Sequence, residues 1–440
     1  MKTEKITLIG AGLSGPLMAT YLAKQGYSVD IYERRSDMRK TTQSAGRSIN
    51  LAVSIRGINA LKEVGIYDKI KPITLPMKGR MIHDLDGTTH LQPYGQREYE
   101  VIHSVSRAQL NMDLMTLAEE TGKVKIHFEK KLESVDLDNN ELVFGGESVS
   151  FQKVIGCDGS SSALRRAIVK NPQAKFSKKP LGHGYKELVI PPSDSNEFLI
   201  EPNALHIWPR GEFMLIALPN MDKTFTCTLF FPMEGPVSFE TVESEKDIIQ
   251  LFETYFPDAL DLMPTLVEDF QNNPTGNLAT VYCNPWHFED KACLLGDAAH
   301  AVVPFFGQGM NASFQDCSVL NSLLQKHDGN WGKTFDEFSL SHVPNGHAIA
   351  DMAIENYIEM RDSVNDPTYK KRRHLEFELE QQFPNQFIPR YSMVSFHQIP
   401  YSEVYNRGEI QFDLMKKFFD DKLSKNELES QIQTQLKPIQ

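Results

Sequence analysis

Three glycines and one glutamate near the N-terminus have the types and spacing of a dinucleotide-binding site. Gly10, Gly12 and Gly15 follow the apolar run 6–9, and a segment with helical periodicity comes next. Glycines at this spacing allow a tight turn and let the backbone approach a pyrophosphate, which the helix N-terminus then faces. Glu33 ends a second apolar run about 20 residues further on, where a carboxylate binds ribose hydroxyls. The pattern predicts a site that prefers FAD or NAD to NADP, because Glu33 would repel a 2′-phosphate.

The stretch 296–311, which reads GDAAHAVVPFFGQGMN, has a second set of groups suited to a flat ligand that develops negative charge. Asp297 follows the strand-like run 292–295 and can bind a sugar hydroxyl. The Pro/Gly loop lets the backbone come close to a planar ring, and a helix is predicted to begin near Gln308. Because amides at a helix start stabilise negative charge, the stretch predicts contact with the same cofactor.

The elements that must position these groups follow an α/β pattern. Apolar runs at 6–9, 28–32, 154–157 and 291–295 predict a parallel sheet, whereas alternating runs between 181 and 231 predict an inserted antiparallel sheet. After residue 311 the chain is mostly helical, with helices predicted at 312–325, 335–342, 346–361, 368–382 and 408–423. The predicted division is a discontinuous nucleotide-binding domain (1–75, 105–178 and 275–330), a substrate-domain sheet (76–104 and 179–274) and a helical C-terminal region (331–440).

Composition narrows the class of protein. The chain has 440 residues and a net charge of −12, which disfavours nucleic acid and anionic membranes as partners. Its five cysteines lack a Cys-x-x-Cys spacing, which favours reduced thiols in a cytoplasmic protein over a disulfide framework or a zinc site. The apolar runs are too short to predict a transmembrane helix.

Three motifs together are similar to a known family. The fingerprint with Glu33, the stretch Cys157-Asp158-Gly159 and the stretch 296–309 resemble the class A flavoprotein aromatic hydroxylases of the para-hydroxybenzoate hydroxylase type. The segments 46–52, 79–83, 106–111, 304–311 and 355–361 resemble, more narrowly, the kynurenine 3-monooxygenase family. The resemblance implies a Rossmann-like FAD-binding domain of the glutathione-reductase-2 type, with the inserted sheet as substrate domain and the C-terminal helices capping the substrate pocket. Eukaryotic members carry a C-terminal membrane anchor, whereas the tail after Leu423 is polar, which favours a soluble, bacterial-type form.

The activity implied by the resemblance is hydroxylation of L-kynurenine to 3-hydroxykynurenine with NADPH and O2, through a flavin C4a-hydroperoxide. The cofactor does the chemistry, so neither a catalytic side chain nor a metal is assigned. The substrate's amino-acid end would meet four residues carried over by motif: Arg80, Tyr94, Asn356 and Tyr391. The pocket loop that keeps water out would comprise Phe305, Phe306, Gly307 and Gln308. FAD would be held by Gly10, Gly12, Gly15, Glu33, Arg35, Ala52, Arg107, Asp297, Gly309, Met310 and Asn311.

Several alternatives stay open at the level of sequence. The same scaffold serves hydroxylases of other aromatic substrates, FAD-dependent reductases of isoprenoid double bonds and binding proteins that have lost the cofactor. The sequence does not separate NADPH from NADH, nor a monomer from a homodimer. Residues 41–50, which include Arg47, are either a surface loop or a loop over the flavin. His83, His103, His206 and His300 are interpreted as structural, because a lone histidine in a strand or loop is more often a satisfied core residue.

Overall fold

The structure is a computed structural model that describes residues 4–40, 50–363 and 367–439. The expected loop at 41–50, with Arg47, lies outside the described residues except for Asn50, which begins a strand. The same holds for residues 46–49 of one family motif.

The strands, in chain order, are β1 (Lys5–Ile9), β2 (Ser28–Tyr32), β3 (Asn50–Val53), β4 (Leu75–Met77), β5 (Gly79–His83), β6 (Thr89–Pro93), β7 (Ile102–Ser106), β8 (Val124–His127), β9 (Leu132–Asp136), β10 (Glu141–Phe144), β11 (Glu147–Ser150), β12 (Lys153–Gly156), β13 (Lys175–Ile190), β14 (Leu205–Arg210), β15 (Phe213–Pro219), β16 (Phe225–Pro232), β17 (Gly276–Asn284), β18 (His287–Phe288) and β19 (Ala292–Leu294). The helices are α1 (Ser14–Lys24), α2 (Ile55–Glu63), α3 (Tyr67–Ile70), α4 (Arg107–Glu120), α5 (Ala163–Ile168), α6 (Glu245–Tyr255), α7 (Pro257–Leu260), α8 (Leu266–Asn272), α9 (Asp297–His300), α10 (Gly309–Lys326), α11 (Trp331–Ile358), α12 (Pro367–Gln382), α13 (Arg390–Phe396), α14 (Tyr401–Phe419) and α15 (Lys425–Gln435).

A mostly parallel sheet carries both nucleotide motifs. Its strand order is β18-β19-β12-β1-β2-β8, with β1 paired in parallel to β12 on one side and to β2 on the other. The strands are apolar because the sheet is buried: α1 packs on it, and the small sheet β9–β11 adds Leu142 and Phe144 to the same core, so that Ile6, Leu8 and Ile155 are fully buried. The carboxyl ends of β1, β2, β12 and β19 therefore meet at one edge, which is where ligands bind in open α/β sheets.

The second large sheet is predominantly antiparallel, as expected for the inserted unit. Its order is β17-β13-β16-β15-β14-β5-β6, and β5, which carries Arg80, pairs in parallel with β14. The helices α6–α8 cover one face through an aromatic core that includes Phe231 and Phe252. β17 belongs to this sheet although the predicted boundary at residue 275 places it in the nucleotide-binding domain.

The C-terminal region is helical, but its first helix differs from the prediction. The two segments predicted at 335–342 and 346–361 form the single helix α11, which runs through Pro344. A proline inside a helix removes one hydrogen bond, yet burial of Phe335, Phe338 and Ile349 along α11 holds the helix together. A separate cluster of apolar side chains, including Leu379, Leu414 and Leu428, joins α12, α14 and α15. Within the described ranges, none of the helices combines the length and apolarity needed to cross a bilayer.

Candidate active site

The turn after β1 has the shape that a pyrophosphate requires. Gly10 has φ +100°, and a Cβ there would clash with the carbonyl oxygen of Cys157 at the end of β12. A Cβ at Gly15 would clash with the carbonyl oxygen of Gly10. At Gly12, by contrast, a Cβ would meet no atom of the described chain within 4 Å. The first and third glycines thus keep two strands and a helix close, while the second faces open space in front of α1.

Glu33 borders a cavity beside this turn. Its carboxylate accepts hydrogen bonds from the amide of Ala11 at 2.8 Å and from the amide and Nε of Arg35 at 3.0 and 2.8 Å. Burial raises the pKa of Glu33, but the Arg35 guanidinium and these amides outweigh it and lower the pKa below its usual value. The cavity has a volume of about 340 Å³, and its lining residues are Ala11, Glu33, Arg35, Ser36, Met38, Asn111, Met115 and Phe128. An ionised acid beside a phosphate turn and a half-apolar cavity fits the adenosine half of FAD.

Asn311 fixes the loop that precedes α10. Its side-chain NH2 donates to the carbonyl oxygens of Ala52 and Gly307, both at 2.8 Å, and its Oδ1 accepts from the amide of Ser54 at 2.9 Å. The side chain is therefore a link between β3 and the 304–309 loop. The backbone amides of Gly309 and Met310 lie in the first turn of α10, where an α-helix leaves its N–H groups without partners in the helix.

Two other residues predicted to bind FAD lie outside the lining of this cavity. Asp297 begins α9 and is exposed, and Arg107 begins α4 and is also exposed. Neither borders the cavity beside Glu33. Asp158, in the third family motif, accepts from the amides of Ala163 and Leu164 at 2.6 and 3.3 Å and so caps α5, while the carbonyl of the preceding Cys157 supports Gly10.

A second cavity, of about 460 Å³, contains three of the four predicted substrate-binding residues. Its lining residues are Arg80, His90, Leu91, Gln92, Pro93, Tyr94, Glu359, Tyr369, Lys370, Arg373, His374, Phe377 and Tyr391. Arg80 is only 6% exposed, and its guanidinium lies 5.0 Å from the Tyr391 ring centroid. Tyr94 and Tyr391 stack with their centroids 4.9 Å apart. The fourth residue, Asn356, accepts a long hydrogen bond of 3.4 Å from Arg80.

The polar groups of this cavity are incompletely satisfied. Among the described residues, the Nε of Arg80 and the hydroxyl of Tyr94 are buried without a hydrogen-bond partner. Glu359 lies 3.9 Å from Arg80 and accepts from Tyr369 and Arg372, both at 3.0 Å. A buried donor without an acceptor lowers the stability of the folded chain. The Nε of Arg80 and the hydroxyl of Tyr94 therefore indicate a place where a polar ligand supplies the missing acceptors.

The charge states in the cavity follow from burial and neighbouring charges. Burial lowers the pKa of Arg80, but nearby Tyr369, Tyr391, Tyr94 and Glu359 outweigh this and raise it. Burial raises the pKa of Glu359, but Arg372 and Arg80 outweigh it and lower the pKa. Burial also raises the pKa of Tyr94. Near neutral pH the cavity therefore presents a guanidinium, a carboxylate and a neutral phenol.

Aromatic rings connect this cavity to the loop before α10. Phe306 stacks on Tyr391 at 5.4 Å, and Phe305 stacks on Tyr357 at 3.9 Å and meets the edge of Phe230 at 4.7 Å. Asn356 donates to the carbonyl of Phe305 at 2.8 Å. One asparagine thus bridges the cavity's arginine and the loop that leads into α10.

Glu359 and Tyr369 are two of the cavity residues that sequence reasoning missed. Glu359 lies three residues after Asn356, and this helical spacing would have placed both on one face. Tyr369 lies shortly after residues 364–366, which are not among the described residues, and no pattern in its local sequence marks it as a site residue. Three of the four histidines interpreted as structural have side-chain partners: His83 bonds to Asp258 and to His206, each at 2.8 Å, and His300 bonds to Asp316.

Comparisons with known proteins place this geometry in a family. Residues 3–335 match the family model described as an FAD binding domain. The tetrameric form of 2-methyl-3-hydroxypyridine-5-carboxylic acid oxygenase shares the fold, with a TM-score of 0.68 and 18% identity over 83% of this chain and 95% of that one. The family model, the fold and the nucleotide site thus define an FAD-binding flavoprotein.

Curated relatives narrow the class. The kynurenine 3-monooxygenase of Myxococcus xanthus (strain DK1622) is 47% identical over 415 residues, which are 93% of this chain and 89% of that protein. The kynurenine 3-monooxygenase of Stenotrophomonas maltophilia (strain K279a) is 44% identical over 94% of this chain and 92% of that protein. The chain belongs to the kynurenine 3-monooxygenase family.

Proposed function

We propose that the chain hydroxylates L-kynurenine to 3-hydroxykynurenine, with electrons from NADPH and oxygen from O2. The observation that carries the proposal is a buried guanidinium with an unpartnered Nε beside an unpartnered tyrosine hydroxyl, among the described residues. A carboxylate is the natural acceptor for both donors. When bound, FAD supplies the redox chemistry, in which NADPH provides electrons and O2 is activated.

The amino-acid end of the substrate fits the charged part of the second cavity. Arg80 would bind the α-carboxylate in bidentate fashion, with Tyr94 donating a further hydrogen bond. Glu359 is a charged acceptor 3.9 Å from Arg80 and would bind the α-ammonium group. Asn356 and Tyr391 orient this set, because the first contacts Arg80 and the second stacks on Tyr94. A zwitterionic amino acid satisfies these groups together, whereas a simple aromatic acid would leave Glu359 without a cation from the ligand.

The aryl end would face the aromatic loop. Phe305 and Phe306 are each 6% exposed and, with Phe230, exclude water from the space next to Gly307 and Gln308. The amine of kynurenine activates its ortho carbon, so no general base is required. The first amides of α10 would stabilise negative charge on the flavin, since they lie at a helix N-terminus.

The FAD-binding residues remain assigned by motif and position: the three glycines with Glu33 and Arg35 at the adenosine end, and Ala52, Arg107, Asp297, Gly309, Met310 and Asn311 toward the flavin.

The test is NADPH oxidation by the purified holoenzyme with and without L-kynurenine, followed by mass analysis of the product. We expect kynurenine to accelerate NADPH oxidation and a product one oxygen atom heavier to appear. A parallel assay with NADH measures the preference between the two donors. A yellow protein whose NADPH oxidation is indifferent to kynurenine would refute the substrate and leave the FAD site intact.

A further inference from the structure

The carboxylate of Asp316 contacts both ends of the short turn that carries Asp297. It is 3% exposed, in the first half of α10. Its Oδ2 accepts a hydrogen bond from the backbone amide of Gly296 at 3.0 Å and is 2.6 Å from Nε2 of His300. Gly296 directly precedes the four-residue helix α9 and His300 is its last residue, so one carboxylate bonds to both ends of the turn.

The partners of Asp316 leave little freedom in the turn. His300 is 2% exposed and stacks on Trp286 with the ring centroids 4.9 Å apart. Burial lowers the pKa of His300, but the charge and hydrogen bond of Asp316 outweigh it and raise the pKa. The contact therefore includes a charge-assisted hydrogen bond, which is stronger than one between neutral groups.

The same turn packs against α1 and α10, the two helices whose N-termini are assigned to FAD by motif. A Cβ at Gly296 would lie 2.6 Å from the hydroxyl of Ser313 on α10 and 3.4 Å from that of Ser14 on α1. Asp316 lies about one and a half turns after Asn311 on α10. A shift of the carboxylate would therefore change the position of the turn relative to both helix starts.

We propose that Asp316 is a positioning residue for FAD: its carboxylate clamps the Gly296–His300 turn to α10 and so sets where Asp297 meets the cofactor. The proposal rests on the assignment of Asp297 to the FAD site under the proposed function. Asp316 itself reaches FAD only through the turn. The proposal does not depend on the identity of the aromatic substrate.

The test measures release of FAD from the holoenzyme on dilution, followed by the recovery of flavin fluorescence. In Asp316→Asn, the amide keeps the shape and one acceptor but loses the charge, and we expect the dissociation constant for FAD to rise about tenfold. In Asp316→Ala, both donors lose their acceptor, and the rise should approach about 100-fold. His300→Gln, which retains a donor for Asp316, should bind FAD more tightly than His300→Ala.

The matched control is Asp351→Asn. Asp351 also accepts a 2.6 Å hydrogen bond, from the hydroxyl of Tyr282, but on α11 and away from the turn. It should lower the melting temperature without changing FAD release. If Asp316→Ala does not fold, Asp316→Asn and the two His300 variants carry the test.

A double-mutant cycle with Asp297→Asn separates positioning from a general loss of stability. If Asp316 acts through Asp297, the double variant should lose less FAD affinity than the product of the two single losses. Two outcomes would refute the role of Asp316 and leave the assignment of Asp297 intact. In one, the losses of FAD affinity in the two single variants multiply in the double variant. In the other, Asp316→Asn releases FAD like the parent while Asp297→Asn binds it more weakly. Parental FAD release by Asp297→Asn would overturn the assignment of Asp297 and the clamp with it.

Discussion

Replacement of Arg80 by methionine tests the substrate site most directly. Methionine keeps much of the length of the side chain and removes the charge. A carboxylate held in this cavity would lose its guanidinium partner, which for a buried, hydrogen-bonded charge pair costs about 2–5 kcal/mol. At 1.4 kcal/mol per factor of ten, the KM for kynurenine should rise about 30-fold to about 3,000-fold.

The stability of the free enzyme should respond differently. Without ligand, Arg80 has an unpartnered Nε among the described residues, one hydrogen bond of 3.4 Å and a carboxylate at 3.9 Å. Glu359 keeps Tyr369 and Arg372 when Arg80 is removed. Removing a poorly satisfied buried cation costs little folding free energy, so the melting temperature and the FAD content should stay near those of the parent.

Steady-state kinetics with kynurenine and a thermal melt on the same preparations measure both quantities. The matched control is Arg407→Met, since Arg407 is 7% exposed but bonds to the carbonyls of Gln386 and Lys437, which border neither described cavity. That variant should lose stability and keep its KM. A KM for Arg80→Met within about threefold of the parent value would correspond to less than about 0.7 kcal/mol and would remove Arg80 from the site.

Three further predictions follow from other parts of the molecule. Glu33→Gln should weaken FAD binding by about 10- to 100-fold, because two charge-assisted hydrogen bonds are lost; parental retention of FAD on dilution would contradict this. Pro344→Ala should raise the free energy of unfolding, measured in urea, by up to about 3 kcal/mol, because Pro344 is exposed inside α11 and alanine is the better helix former. An unchanged midpoint of urea unfolding would mean that the helix is already kinked there at no cost. Burial lowers the pKa of His206 to about 4. Between pH 6.5 and pH 4 the unfolded chain therefore binds more protons than the folded one. The free energy of unfolding should fall by about 3 kcal/mol as the pH drops through that range. His206→Asn should be less stable at pH 7 and should lack this part of the pH dependence; an identical pH profile would refute the assignment.

The nucleotide-binding half could be predicted closely because its signals are local. Gly10, Gly12, Gly15 and Glu33 act within one βαβ unit, where backbone geometry depends on residue type at fixed spacing. The apolar runs of β1, β2 and β12 also stand out, since both faces of a parallel sheet are buried. The start of α10 near Gln308 follows in the same way from a glycine-rich loop before a helical pattern.

The charged cavity could be predicted only in part. Arg80, Tyr94, Asn356 and Tyr391 were found through family motifs, because nothing in their local sequence shows that they meet. Glu359 and Tyr369 were missed for the same reason. The sequence-based prediction assigned no element to residues 276–284, which form β17, and it divided α11 into two helices near Pro344, because neighbouring elements override a weak local pattern.

The sequence by itself determined the α/β class, the dinucleotide turn and the carboxylate that accompanies it, since these depend on interactions between residues close in the chain. Only the tertiary structure decided which donors remain unpartnered and which carboxylates face them. The contact between Arg80 and Asn356 spans 276 residues, and the hydrogen bond from the amide of Gly296 to Asp316 spans 20 residues and joins two elements. Burial and hydrogen bonding at such contacts are properties of the packed chain, and they set the charge and orientation that a binding site requires.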